Sequence, residues 1–84
     1  MKVLYFSWLR SRIGRIHDDV DPHALGLKTV DELQQHLAGV HPAFAEAMAM
    51  KGVIRCAVNQ TYATPETLLE NAEEVAFFPP VTGG

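Results

Sequence analysis

Apolar and polar residues alternate near both ends of this 84-residue chain and recur on a helical period in its middle. Lys2-Val3-Leu4-Tyr5-Phe6-Ser7-Trp8 is rich in β-branched and aromatic types, which predicts a first strand over residues 2–8. Leu9 to Arg15 carries Arg10, Arg12 and Arg15 and ends near Gly14, so a helical turn or loop is expected there. A second strand should follow at Ile16 to Val20, although His17-Asp18-Asp19 is poor strand material. Thr29-Val30-Asp31-Glu32 has the Thr-x-x-Glu spacing of a capping box and marks the start of the main helix. Val30, Leu33, Leu37 and Val40 then form one apolar stripe, with Asp31, Gln34 and Gln35 turned to water, and Gly39 and Pro42 end the helix. Pro42 to Met50 predicts a second short helix with Phe44 and Met48 on one side.

Alternation returns at Val53 to Asn59, and Gln60 to Ala63 can come back as a hairpin arm. Thr64-Pro65-Glu66 starts a single turn whose Leu68 and Leu69 plug the core; Asn71-Ala72-Glu73 is a turn and Glu74 to Phe78 the last strand. This order is α+β, one mixed sheet packed on one main helix. On the face away from that helix the period-2 positions are Lys2, Leu4, Phe6 and Trp8, then Arg55 and Ala57, then Glu74, Ala76 and Phe78. A face carrying Phe6, Phe78 and small alanines is partly apolar, which points to a protein partner. The other options are that the second helix or the Arg-rich loop covers it, or that the register is inverted by one residue.

Composition narrows the function classes. Seven basic and ten acidic side chains give a formal charge of −3, which argues against nucleic acid or an anionic membrane as the main partner. No apolar run approaches the roughly 18 to 20 residues of a membrane span, and Met1 to Tyr5 lacks a signal-peptide pattern, so a cytoplasmic location is expected. Basic residues dominate positions 1–15 and acidic ones positions 66–84, so these ends attract if the first and last strands are neighbours. Cys56 alone cannot form an internal disulfide, and its apolar strand marks it as a core thiol. His17, His23, His36 and His41 with Asp18, Asp19 and Asp21 match no metal-ligand spacing, so no metal is expected. Phosphate loops, nucleophile triads and Cys-x-x-Cys pairs are absent from the sequence.

The remaining chemistry lies in Phe78-Pro79-Pro80-Val81-Thr82-Gly83-Gly84. Two prolines stop sheet pairing and hold the chain extended, so six residues reach up to about 20 Å from the body. A carboxylate is a poor electrophile and must be activated, for example by ATP, before an amine, thiol or sulfide can take the acyl group. An activating enzyme would admit the end of the chain through a narrow channel, where Cβ atoms at Gly83 and Gly84 would obstruct. Such machinery does not fit in a domain this small, which makes the chain a carrier.

Lys2-Val3-Leu4-Tyr5-Phe6 with Leu9-Arg10, Thr29-Val30-Asp31-Glu32-Leu33, Ala57-Val58-Asn59-Gln60-Thr61 and above all Glu74 to Gly84 resemble the ubiquitin-like sulfur carriers that form the small subunit of molybdopterin synthase, the MoaD family. The resemblance implies a β-grasp domain over residues 1–78 and an extended tail over 79–84. It implies a non-catalytic subunit of a heterotetrameric synthase, with Gly84 adenylated by a MoeB-like enzyme that uses ATP and then converted to a thiocarboxylate. Val81, Thr82 and Gly83, with Pro80, would enter the large MoaE-like subunit, where sulfur passes to cyclic pyranopterin monophosphate; no cofactor stays bound to the carrier. By the same resemblance Phe78, Tyr62 and Arg10 contact partners, and Phe6 adjoins them on the outer face. A carrier for thiamine or tRNA thiolation, and a ubiquitin-like protein modifier, share the tail chemistry. The turn before the last strand departs from the family's Asp-Gly-Asp character, so Asn71 must supply any left-handed residue.

Overall fold

The computed structural model describes residues 1–50 and 54–80. Along the chain run β1 (Lys2–Tyr5), α1 (Ser7–Ile13), β2 (His17–Asp19), α2 (Pro22–Leu25), α3 (Val30–Val40), α4 (Pro42–Ala49), β3 (Arg55–Val58), β4 (Thr61–Ala63) and β5 (Glu74–Phe78). The strands form one mixed sheet in the order β2-β1-β5-β3-β4. First and last strands are neighbours: β1 and β5 pair in parallel, with Lys2 and Glu74 as register partners, so the condition for the basic and acidic ends to attract is met; the other pairs are antiparallel.

Alternation sorts the sheet residues as expected. Val3, Tyr5, Cys56, Val75 and Phe77 point inward and are buried, and Leu33, Leu37, Phe44 and Leu9 meet them from the helices. Phe44 stands edge-on to Phe77 with ring centroids 5.1 Å apart, a geometry that adds about 0.5–1.5 kcal/mol beyond area burial. The second helix, α4, therefore packs on the inner side, no described helix covers the opposite face, and the register is not inverted.

The main helix starts where the capping box put it. Thr29 Oγ1 accepts from the Glu32 backbone N–H at 3.2 Å while Glu32 Oε1 accepts from the N–H groups of Thr29 and Lys28, satisfying orphan donors at a typical value of about 1 kcal/mol. Its end differs from expectation. Gly39 lies inside the helix, which runs to Val40, and His41 serves as C-cap of α3 and N-cap of α4 in the extended conformation that Pro42 imposes on the residue before it. The chain changes direction there, so Val40 is exposed rather than completing the stripe. Gln34 departs the other way, being only 8% exposed: it sits one turn beyond Val30 and shares that residue's face.

Strand one is shorter than its composition suggested. Phe6 is extended, Ser7 takes φ 60, and the chain turns into α1, so Trp8 packs against the core instead of following Phe6 onto the outer face. Gly14 closes α1 in the left-handed region. The one-turn α2, capped by the Asp21 carboxylate with Pro22 at its start, has no counterpart in the sequence reading. Leu69 plugs the core but Leu68 does not: an isolated bridge to Thr29 holds the backbone so that only one of two adjacent side chains points inward. The expected start of β3 at Val53 lies outside the described residues.

Asn71 does adopt the left-handed conformation, at φ 63. A neighbour secures this turn. Asn59 opens the two-residue β3–β4 loop with Gln60, both at positive φ; its Oδ1 accepts from the N–H groups of Glu73 and Glu74 at 2.8 and 3.1 Å, and its Nδ2 donates to the Asn71 carbonyl at 3.2 Å. The hairpin loop and the turn into β5 are thus one hydrogen-bonded unit, which offsets the departure at 71–73.

Candidate functional site

The outer face of the sheet is the first part of the site. Leu4, Ala76, Ala57 and Tyr62 are register partners in a row across β1, β5, β3 and β4. One step toward the tail, Phe78 lies opposite Arg55, and the Phe6 N–H donates to the Phe77 carbonyl at 3.1 Å, which brings Phe6 alongside. The two alanines make a low floor; Leu4, Phe6, Phe78 and Tyr62 stand around it. Tyr62 is 79% exposed, and its ring centroid is 6.0 Å from that of Phe78. Such an arrangement suits docking of another apolar surface.

Of the four predicted contact residues, the fold brings Phe6, Phe78 and Tyr62 together. Arg10 sits apart, exposed on α1, and no side-chain hydrogen bond or ion pair among the described residues ties it to the other three. Of the predicted tail residues Pro80 follows β5 directly, past Pro79, where the missing N–H groups end strand pairing. Val81, Thr82, Gly83 and Gly84 lie outside the described residues.

Beside the root of the tail opens a groove of about 540 Å³, between α3 and the end of the sheet, lined among others by Val30, Gln34, Cys56, Tyr62, Phe78 and Pro80. Cys56 contributes an inert wall: burial pushes its thiol up to about 12, so it stays protonated at neutral pH. Gln34 is the residue that sequence reasoning missed, because its polarity outweighed its helical spacing from Val30.

At the opposite flank the acidic and histidine residues meet in a different way. Asp18 on β2 accepts from the Tyr5 hydroxyl at 2.8 Å, lies 2.6 Å from His41 Nε2, and pairs with Arg15 Nε at 2.9 Å. Burial alone would raise the Asp18 carboxyl, but hydrogen bonds from His41 and Tyr5 and the electrostatics of His41 and Arg15 outweigh it and hold the carboxyl below its ordinary value. Tyr5 moves upward through burial, the Asp18 hydrogen bond and the Asp18 charge, with Arg15 a smaller opposing influence. These contacts join β1, β2 and the start of α4. Among the described residues no three His, Cys, Asp or Glu side chains are grouped to hold a metal ion, and no helix is long and apolar enough to cross a membrane.

The profile of the ThiS family matches residues 3–84. A protein of Escherichia coli K12 named molybdopterin synthase sulfur carrier subunit is 40% identical over 84 residues, spanning all of this chain and 99% of that one. A Haemophilus influenzae protein of the same name is 36% identical over 88 residues, again covering this whole chain and 99% of its own. Among solved structures, SAMP1 from Haloferax volcanii superposes with a TM-score of 0.72 at 28% identity, over 99% of this chain and 97% of that one. The five-stranded mixed sheet over its helices is accordingly a β-grasp, ubiquitin-like fold.

Proposed function

The chain belongs to the ThiS family, and from that premise we propose that it is the sulfur carrier subunit of a molybdopterin synthase. The Gly84 carboxylate attacks ATP on a MoeB-like activating enzyme, releasing pyrophosphate and leaving an acyl-adenylate. Sulfide-level sulfur then attacks the acyl carbon, expels AMP and leaves a thiocarboxylate. The charged tail, Pro80 to Gly84, enters a MoaE-like large subunit, where sulfur passes to cyclic pyranopterin monophosphate. The carrier holds no cofactor, and the ATP belongs to its partner.

One observation carries this reading: the apolar face built from Leu4, Phe6, Ala57, Ala76, Tyr62 and Phe78, which no described helix covers, includes the strand from which the tail departs. A partner seated on that face has the tail at its edge. Two successive partners must use it, so Phe78 is expected to matter to both. Full-length relatives named as sulfur carriers support the same reading.

Intact mass spectrometry of the carrier purified from cells tests the chemistry. An oxygen-to-sulfur exchange confined to the C-terminal residue is expected, together with sulfur transfer to cyclic pyranopterin monophosphate when the large subunit is added. Lysine-linked adducts without that exchange would make the chain a protein modifier instead.

A further inference from the structure

We propose that the groove between α3 and the β4 end of the sheet is a second recognition element, which receives an extended, acid-bearing peptide segment of the tail-accepting protein. This rests on the docking reading above and specifies the partner chemistry that a flat apolar face cannot specify.

The argument begins with Gln34. Val30 and Gln34 are four residues apart on the inward side of α3, and both line the groove. At 8% exposure Gln34 is among core residues, yet no hydrogen bond from the described residues reaches its carboxamide. The described residues hold no fully shielded side-chain polar atom lacking a partner, so the amide keeps its remaining access through the groove. With no protein partner, the amide gains nothing for the fold that an apolar side chain at this core position would not also supply. A carboxamide presents one acceptor and one donor group side by side, which complements the N–H and C=O of a peptide unit.

Backbone geometry adds a second contact of the same kind. Val58 with Thr61 and Cys56 with Ala63 are partners across the β3–β4 hairpin, and Val58 and Thr61 close its two-residue loop as a hydrogen-bonded pair. Tyr62 falls between these pairs, so its N–H and C=O point away from β3, off the open edge of the sheet. The open edge is short. The Thr64 N–H is already taken by Thr67 Oγ1 at 2.9 Å, and its carbonyl by the Thr67 N–H at 3.0 Å. One residue of strand pairing is therefore available, which suits a short segment rather than a full added strand.

Arg55 sets the charge of the occupant. It lines the groove, is exposed, and has no ion-pair partner among the described residues, whereas Arg15 at the other flank is paired. Arg55, Tyr62 and Phe78 belong both to the outer face and to the groove wall. A partner on the face is thus carried round the sheet end onto Gln34, next to Pro80.

The test uses the full-length chain and the purified large subunit, with affinity measured by calorimetry. Gln34→Leu, with Gln34→Met as a second apolar variant, should melt at or above the wild-type temperature yet bind about tenfold more weakly. Arg55→Glu should lose a similar factor and most of the salt dependence of binding. In the complex, hydrogen exchange at the Tyr62 amide should slow at least tenfold. Phe78→Asp separates the two readings. Wild-type affinity for both Gln34 variants, with unchanged Tyr62 exchange and weak binding by Phe78→Asp, overturns the groove and leaves the docking face standing. Wild-type affinity for Phe78→Asp as well removes the docking reading itself.

Discussion

The two flanks of the sheet treat a polar side chain in opposite ways. On the β2 flank Asp18 is reached by Tyr5, His41 and Arg15. On the β4 flank Gln34 is buried more deeply and is reached by no described side chain or backbone group. Burial depth is thus a poor guide to purpose. A polar group with several partners closes the structure on itself; one with none is open to something else. The same division holds for the arginines, Arg15 being paired and Arg55 unpaired among the described residues.

If the groups that stabilise the body are separate from those that serve partners, each can be broken alone. Deleting Gly84 is expected to have the largest effect, abolishing sulfur transfer in a reconstituted assay while calorimetry shows an unchanged melting temperature. A matching drop in stability would show that tail and body are not independent. Asp18→Ala should act in the reverse sense, costing about 2–3 kcal/mol in urea denaturation because the Tyr5 hydroxyl and His41 lose their partner, while the affinity for the large subunit stays within twofold.

Acid should expose the same flank. The folded Asp18 carboxyl lies below its unfolded value of about 3.9. Its contribution is therefore present above that value and lost as pH falls through the depressed folded one. Urea midpoints of the wild type should decline below about pH 4, and Asp18→Asn should flatten that decline. Gln34→Leu is expected to shift stability by no more than about 1 kcal/mol, in the favourable direction. Leu68→Ser, at an exposed site, should stay within about 0.5 kcal/mol of wild type.

Local rules made much of this legible. The Thr29 and Glu32 spacing located the main helix, alternation from Glu74 to Phe78 assigned inside and outside correctly, and the tolerance of asparagine for positive φ identified Asn71. The errors share a cause, which is that tertiary contacts choose between locally equal options. Leu68 and Leu69 have the same hydrophobicity, and only the bridge to Thr29 decides which is buried. Phe6 and Trp8 look alike in an alternating run, but Ser7 at φ 60 separates a strand from a helix between them. Asp18 and His41 are 23 positions apart, beyond the reach of any motif spacing. Gln34 was recoverable: its place one turn after Val30 was visible, and letting period outrank polarity would have put it inside. Of the expected contact residues, Phe78 on β5 and Tyr62 on β4 flank β3, and Phe6 directly follows β1 beside β5, whereas Arg10 belongs to a helix.

Because β5 is flanked by β1 and β3, the last of the described strands to be synthesised is the one that joins the two halves of the sheet. A chain truncated by a stalled ribosome or clipped by a protease before Phe78 lacks the seam and cannot assemble the outer face proposed for docking. On that reading defective copies would not compete for a partner, and a copy that folds has its attachment point for the tail already in place.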